Sequence, residues 1–570
     1  MTKRRRTPRK GALVVLLAAL LVVLVVSTRD ITTTRWFFVD TTYYFLTATV
    51  LCWAGTYLHS ARDLRWPAVV VWVRENWPGL LLAITITAIA GLAVEPGLRV
   101  LSDEANLVGT SKNFFASKSA TFTISGKNYY GSYWDIDVAI DRRPTLFPFL
   151  VSWVHAVSGY AYSNVFVFNL LLLPAFVLVA YRLCKSLGGE SFAVVASLFV
   201  VAHPITLITV RSGAFDFCAA FFALLVLKSV LDYCRQQHPA KLAILWMNLC
   251  MFAEVRYESA LFIAPVVLLL LLFKMLSWSM LRPYAFIYAL TPAYLLPRLW
   301  QSLLRGNVPE QEPGTISFSI ANFVANAHEY FEPILAPSHA YPAHSAIVIA
   351  LGVVGCLQWA RWLTGRVRAR DWDAPQLRFA VFVVAWMALQ VIVVFSYVWG
   401  RAQYPSAARL TIAIDIFFSF AAAWLLTLAL ARSKPHVPFL LAAALVVMQL
   451  PIASQHRMMN RLTQTRESAT TWRFFERLQE KRILIVSDRP NHFTIMDYGA
   501  MSFETAKRDP YLFTAFERRL FHDIYVIQQL RLSTREPLPG YEIWPTRKLD
   551  AVLEFQNDAD VLVRVSRLAH

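Results

Sequence analysis

Runs of apolar residues, separated by short polar segments, recur along most of this chain. Many runs hold about 17–25 residues, the length that an α-helix needs to cross the hydrocarbon core of a bilayer. Because lipid offers backbone groups no hydrogen-bond partner, such segments must be helical. The pattern predicts about 13 membrane-spanning helices, centred on 11–27, 37–58, 78–98, 164–184, 191–208, 214–233, 240–254, 257–274, 281–300, 344–363, 377–398, 410–430 and 437–453.

Two longer polar stretches interrupt the apolar pattern, at 99–163 and 301–343. In the first, 104–118 is expected to form a surface helix. The apolar, aromatic segment 145–159 is short for a span, so we expect a helix lying in the membrane interface, with a tilted short span as the alternative. Stretch 301–343 is rich in proline and aromatic residues. It is typical of a lid or an interfacial helix over a cavity, or of a plain long loop.

The last part of the chain is more polar and has a different periodicity. EKRILIVSDR (480–489) and DIYVIQQL (523–530) have the composition of strands, and helical stretches lie near 465–480 and 503–519. These features predict a small α/β domain at 454–570.

Composition agrees with a polytopic, all-α membrane protein. Of the 570 residues, 57% are hydrophobic and only 16% are charged, whereas soluble proteins carry about a quarter charged residues. The six cysteines are Cys52, Cys184, Cys218, Cys234, Cys250 and Cys356. All lie in or beside apolar runs, and their spacing indicates neither a disulfide framework nor a zinc site.

The formal net charge of +18 is better explained by membrane topology than by nucleic-acid binding. Lysine and arginine concentrate in cytoplasmic loops of membrane proteins, and here they cluster at 1–10, 62–74 and 361–370. With alternating spans, this places the N-terminus in the cytoplasm. Stretches 99–163 and 301–343 and the C-terminal domain then lie on the outer face. A bacterial inner membrane is the expected setting.

An acidic pair, Asp103-Glu104, follows the predicted span 78–98 on this outer face. One interpretation is a carboxylate base that removes a proton from an acceptor hydroxyl. The other is helix electrostatics, because acids in a first helical turn oppose the helix dipole favourably.

Basic and aromatic residues also lie at the predicted outer ends of the spans. Arginine binds phosphate through two parallel hydrogen bonds, and lysine offers a point charge. Contact with lipid headgroups, interfacial ion pairs or a solvated loop would explain the same residues. The candidates for phosphate or substrate binding are Lys127, Arg142, Arg143, Arg211, Arg256, Arg401, Tyr404 and Arg409.

No metal site is assigned from the sequence, although two observations bear on metals. Asp135, Asp137 and Asp141 are of the type that binds a hard cation through oxygen. The histidines, which include His203 and His344, are scattered and show no ligand spacing.

The order of these features resembles the GT-C glycosyltransferase superfamily, in the branch of protein O-mannosyltransferases and the lipid A aminoarabinose transferase. Four segments between about residues 78 and 430 carry the resemblance. They are RVLSDEANLVGTSKNFF, RRPTLFPFLVSWVHAVSGY, VRYESALFIAPVVLLLLLF and RAQYPSAARLTIAI. The chain departs from the family in having Arg143 where a proline is usual, in lacking an aromatic residue beside Arg409, and in two additional helices before residue 78.

The resemblance implies a sugar donor on a polyprenyl phosphate and inversion at the anomeric carbon, with Asp103 as the base and Glu104 as its partner. Arg256, Arg143 and Lys127 would hold the phosphate. No cofactor is required, and a divalent metal is not indicated. The expected partners are the lipid-linked donor, membrane lipids and an acceptor that is a protein, lipid or glycan; nucleic acid is not expected.

The expected domains are 1–77, a basic tail with two additional helices; 78–453, the membrane catalytic domain; and 454–570. Alternative functions are an O-antigen ligase or polymerase, a transporter or flippase, and a non-catalytic assembly protein. A transporter would show mid-span charges and internal repeats.

Overall fold

The structure is a computed structural model. It describes the whole chain except residues 1–9, 63–64, 130–131, 306–315, 336–342, 403, 405, 432–433, 435, 455–462, 479, 510, 518–520 and 570. The basic tail from which the cytoplasmic N-terminus was predicted therefore lies almost wholly outside the described residues.

Helices make up the chain up to the C-terminal region, apart from one hairpin. They are α1 (Lys10–Ser27), α2 (Ile31–Ala61), α3 (Trp66–Ala93), α4 (Leu101–Ala116), α5 (Leu146–Ser158), α6 (Asn164–Val201), α7 (Pro204–Val210), α8 (Asp216–Arg235), α9 (Pro239–Ala253), α10 (Ile263–Leu272), α11 (Trp278–Leu281), α12 (Ala285–Ala289), α13 (Thr291–Arg305), α14 (Ile320–Leu335), α15 (Ala346–Arg368), α16 (Pro375–Ser396), α17 (Ile412–Ala429) and α18 (His436–Ser454).

Seven helices in the described part of the chain are long and apolar enough to cross a membrane. The prediction of an all-α integral membrane protein is confirmed, but the predicted count of about 13 spans is not. The seven are Trp66–Ala93, Asn164–Val201, Asp216–Arg235, Ala346–Arg368, Pro375–Ser396, Ala408–Ala429 and His436–Ser454.

Helix α6 is two helices joined at a glycine pair. Gly189 has φ +83°, a left-handed conformation that glycine adopts without steric cost, and Gly188 is also non-helical. This break separates the two apolar runs that the sequence predicts as separate spans.

Small residues let the membrane helices approach closely, as expected where packing rather than the hydrophobic effect holds helices together. A Cβ atom on Gly355 of α15 would lie 2.2 Å from the carbonyl oxygen of Ala421 on α17. The N-terminal helices are packed into the same bundle. Trp300 of α13 is fully buried and donates a hydrogen bond to Ser27 at the end of α1 (2.8 Å).

The remaining structure is a mixed sheet with short helices. The strands are β1 (Phe122–Tyr129), β2 (Ser132–Ala139), β3 (Ile483–Val486), β4 (Gly499–Met501), β5 (Asp523–Arg531), β6 (Leu549–Asp558) and β7 (Val561–Leu568). The helices are α19 (Thr463–Leu478), α20 (Asn491–Thr494), α21 (Phe503–Arg508) and α22 (Leu512–Glu517).

The seven strands form one sheet in the order β2-β1-β4-β3-β5-β7-β6. Strand β3 pairs in parallel with β4 and β5, and the other pairs are antiparallel. The predicted C-terminal α/β domain is therefore present, but its sheet also includes β1 and β2 from the early polar stretch. No strands are predicted there from the sequence.

Helices α4 and α5 connect this sheet to the bundle. Helix α5 buries Phe147, Phe149 and His155 against the protein; its predicted position in the membrane interface stays a prediction. The backbone N–H of Ala120, which follows α4, donates to the carbonyl of Val39 on α2 (3.0 Å). The early loop thus contacts both an N-terminal helix and the C-terminal strands.

Candidate active site

A continuous chain of acids and arginines lies where the ends of several helices meet the early loop. The order of contacts is Asp141, Arg143, Asp103, Arg409, Asp216, Arg256 and Glu258. These residues come from five separate segments: the first turn of α4, the loop before α5, the start of α8, the turn after α9 and the turn before α17.

Asp103 lies at the centre of this ion-pair chain. One carboxylate oxygen accepts from Arg143 and the other from the Arg409 guanidinium at 2.6 Å. Burial alone would raise the pKa of Asp103, but the charges and hydrogen bonds of Arg143 and Arg409 outweigh it and hold that pKa below its ordinary value. The side chain keeps 21% of its surface exposed, so an ionised carboxylate remains accessible to a ligand.

Each carboxylate oxygen of Asp216 accepts from one arginine: Arg409, which also pairs with Asp103, and Arg256. The distances are 2.7 Å to Arg256 and 3.1 Å to Arg409, and the Asp216 side chain is only 1% exposed. Arg256 also pairs with Glu258 (2.7 Å). Because a buried charge needs a partner, Asp216 fixes both guanidinium groups at the start of α8.

Arg143 is held by the loop that carries it and by α13. Its side chain pairs with Asp141 at 2.6 Å. Gln301 of α13 donates to the backbone carbonyls of Asp141 (3.0 Å) and Arg143. The position of Arg143 therefore depends on a helix some 150 residues further along the chain.

Glu104 points away from this chain of charges. It is fully buried and accepts from the backbone N–H groups of Arg99 (2.9 Å), Val100 (3.2 Å) and Gly213 (2.8 Å). Burial raises its pKa to about 7, although these hydrogen bonds oppose the shift. Such contacts assign Glu104 a structural role, joining the start of α4 to the turn before α8.

The structure separates the other predicted residues from the centre of the site. Arg211 donates to the carbonyl of Val94 (3.0 Å). Lys127 pairs with Asp509 of the C-terminal region (2.8 Å). Arg401 and Tyr404 are exposed on the turn before α17, and Tyr404 packs against Trp399. Arg142 is half-buried beside Arg143.

Four members of the site, Asp141, Asp216, Glu258 and Gln301, were not selected as site residues from the sequence. Asp141 and Asp216 were visible as acids near arginines, and their spacing gave no sign that they share those arginines. Gln301 carried no signal at all, since an amide in an apolar helix is common. Asp135 accepts from the Thr123 hydroxyl (2.6 Å) and Asp141 is taken by Arg143, so these two acids are engaged by protein partners.

An apolar cavity of about 240 Å³ lies in the bundle next to the site. Trp386, Ala220, Ala223 and Ala413 line both this cavity and a smaller polar one formed by Asp216, Arg256, Glu258 and Arg409. The end of the ion-pair chain thus lies next to an apolar space among α6, α8, α15, α16 and α17. Its lining residues include Leu183, Phe379, Val383, Ile416, Phe420 and Trp424.

The fold is similar to that of ArnT, in the branch to which the sequence resemblance points. The chain matches the apo structure of ArnT from Cupriavidus metallidurans with a TM-score of 0.50 and 14% identity, over 87% of this chain and 98% of that chain. ArnT bound to undecaprenyl phosphate matches with a TM-score of 0.49 and 13% identity, over 85% and 97%.

A more distant match is an oligosaccharyltransferase from Archaeoglobus fulgidus in complex with zinc and sulfate. Its TM-score is 0.41 and its identity 12%, over 78% of this chain and 67% of that one. No protein-family model matches the chain, and no curated protein does.

Proposed function

We propose that the protein is a membrane glycosyltransferase that moves a sugar from a polyprenyl-phosphate donor to an acceptor hydroxyl, with inversion. The observation that carries this proposal is Asp103, a partly exposed carboxylate held between two arginines, of which Arg409 also lines a small cavity next to a larger apolar one. In this proposal the reaction takes place on the outer, periplasmic face of a bacterial inner membrane. The catalytic unit is 78–453, and 454–570 is the extramembrane domain.

The arginines supply what a departing phosphate needs. Arg143, Arg409 and Arg256 are paired with carboxylates, and a phosphate is a better bidentate partner for a guanidinium group than a single carboxylate oxygen. A phosphate that enters beside Asp103 would exchange with it for Arg143 and Arg409. The same exchange would release Asp103 to accept a proton.

The chemical step then balances without a further reactant. The acceptor O–H proton passes to Asp103 while its oxygen bonds to the anomeric carbon. The bond from that carbon to the phosphate oxygen breaks, and the leaving phosphate keeps the electron pair under the positive charge of the arginines. This scheme requires no metal.

The apolar cavity provides room for the start of an isoprenoid tail. It shares Trp386 and three alanines with the small cavity lined by Arg256 and Arg409, so a lipid phosphate at the arginines would have apolar side chains next to it for its tail. ArnT, whose fold this chain shares, has been determined with undecaprenyl phosphate bound. The acceptor remains open among protein, lipid and glycan hydroxyls.

A transfer assay tests the proposal. The full-length protein, reconstituted in nanodiscs, is given polyprenyl-phosphate carrying a radiolabelled sugar and a panel of acceptors. We expect transfer by the wild type and a loss of turnover of about 10²–10⁴-fold in Asp103→Asn. Glu258→Gln, at the far end of the ion-pair chain, serves as the comparison and should lose less. Equal turnover by Asp103→Asn and wild type would refute the assignment of the base.

A further inference from the structure

Two histidines and a carboxylate from three separate segments meet in the interior of the bundle. His203 lies between α6 and α7, His344 precedes α15, and Asp415 lies in the first turn of α17. All three side chains are at most 2% exposed. One potential ligand atom from each lies within 4.8 Å of the others, which no other group of three such residues achieves in the described part of the chain.

The hydrogen bonds around His344 require a cation between it and Asp415. The Nε2 of His344 lies 3.1 Å from the carbonyl oxygen of Ala402, and because a carbonyl only accepts, this nitrogen carries a proton. In the neutral imidazole the other nitrogen, Nδ1, then carries no proton and presents a lone pair. It faces a carboxylate oxygen of Asp415 at 3.0 Å. Two acceptors at this distance need either a proton or a metal ion between them.

His203 also faces Asp415. Its Nδ1 lies 3.8 Å from the second carboxylate oxygen of Asp415, too far for a hydrogen bond but suitable for two ligands of one ion. The same Nδ1 accepts a hydrogen bond from the backbone N–H of Ser345 at 3.2 Å, so metal binding requires this contact to lengthen.

Unpartnered polar atoms next to the cluster point the same way. Buried polar groups are nearly always hydrogen-bonded. Nevertheless the Nε2 of His203, the hydroxyl of Thr206 and the hydroxyl of Ser345 are buried and have no partner among the described residues. A water bound to the ion would supply a partner to the two hydroxyls, whereas the Nε2 of His203 points away from an ion bound at Nδ1.

The surroundings also match those of ligands that hold a metal. Metal-binding histidines donate their other N–H to a carbonyl or carboxylate, and metal-binding carboxylates are themselves hydrogen-bonded. Here His344 donates to Ala402. The hydroxyl of Tyr330 donates to Asp415 at 2.7 Å, and that of Thr411 lies 3.4 Å from its other oxygen.

We propose that His203, His344 and Asp415 bind a divalent transition-metal ion of the zinc type, with water as a fourth ligand. Two imidazoles and one carboxylate are a ligand set that suits Zn²⁺ in tetrahedral geometry. The ion would join α6, α15 and α17. It would also fix, through Ala402, the turn that carries Arg409 six residues before Asp415. Its role is to position Arg409, not to take part in the chemistry.

Metal content and cobalt spectroscopy test the site directly. The full-length protein is purified without a histidine tag, stripped with a chelator, reloaded with Zn²⁺ or Co²⁺, and dialysed. We expect about one equivalent of metal in the wild type, and with Co²⁺ the intense visible absorption of a tetrahedral site. Variants His203→Gln and His344→Gln should lose both signals. His328→Gln, an exposed histidine on α14, should keep them.

A milder variant controls for loss of metal through misfolding. Tyr330→Phe keeps all three ligands and removes one hydrogen bond to Asp415, so we expect metal affinity to fall roughly 10–100-fold with one equivalent still bound at saturation. Less than a tenth of an equivalent in folded wild type, or metal retained equally by His203→Gln and His344→Gln, would overturn the proposal. In the first case the cation beside His344 is a proton. Neither result depends on transferase activity.

Discussion

Replacing Asp103 by asparagine should have opposite effects on turnover and on binding of the lipid phosphate. The substitution keeps the shape of the side chain and removes its charge. Arg143 keeps Asp141 as a partner and Arg409 keeps Asp216, so neither arginine is left as an isolated buried charge. What disappears is the carboxylate with which an incoming phosphate must compete.

The size of the effect follows from the two contacts. Hydrogen bonds that involve a charged group contribute about 1.5–3 kcal/mol each, and Asp103 makes one with each arginine. Asp103 is 21% exposed, so water compensates part of this when the contacts break. Taking about 1.4 kcal/mol as the remaining difference gives a roughly tenfold tighter Kd for the phosphate.

The assay uses a ligand that cannot react. Undecaprenyl phosphate without a sugar is titrated into nanodiscs that contain wild type or Asp103→Asn, and binding is followed by tryptophan fluorescence, since Trp386 lines both cavities. Asp137→Asn makes the same change of charge on β2, outside the ion-pair chain. It controls for a general electrostatic gain and should bind like wild type.

Three outcomes are distinct. Tighter binding with lost turnover supports the exchange of Asp103 for phosphate. Weaker binding by Asp103→Asn would show that the carboxylate orders the arginines for the ligand instead of competing with it, and the reasoning would be wrong. An equal gain in Asp137→Asn would reduce the effect to net charge.

Three further predictions follow from the contacts described. Glu104→Ala removes the acceptor of three backbone N–H groups and should lower the stability by about 2–4 kcal/mol, seen as a lower Tm, whereas an unchanged Tm would contradict its structural role. Burial raises the pKa of Glu467 from 4.5 to about 7, so the native state holds this proton more tightly than the unfolded chain. The contribution of Glu467 to stability should be fully present below about pH 4.5 and be lost as the pH rises to about 7, by up to roughly 3 kcal/mol; Glu467→Gln should remove this part of the pH dependence in denaturant titrations. Arg409→Lys should lower kcat/KM at least tenfold because lysine lacks the planar fork with which Arg409 contacts two carboxylates, whereas the exposed Arg401→Lys should stay within about twofold of wild type.

The sequence is sufficient for those features that depend on local pattern. Apolar length predicts all seven helices that are long and apolar enough to cross a membrane, but the count of about 13 spans is not confirmed. The glycine pair at Gly188 and Gly189 lies between two runs that the sequence predicts as separate. Only the fold shows that Glu104, beside Asp103, turns inward toward Gly213.

Contacts between distant segments carry no such local signal. The sharing of Arg409 by Asp103 and Asp216 joins residues some 190 to 300 positions apart. His203, His344 and Asp415 have no recognisable ligand spacing because each comes from a different element. Strands β1 and β2 form a local hairpin, but β1 joins the sheet through β4, which begins more than 300 residues later.

The pairing of β1 with β4 has a consequence for biosynthesis. Gly126 faces Ala500 in the sheet, so the early hairpin waits for 374 further residues before its neighbour exists. At about 5–20 residues per second this delay is roughly 20–75 s, during which β1 has an open edge. A message that stops short of the last strands would leave a protein with its helices inserted and its early loop without the neighbouring strand β4.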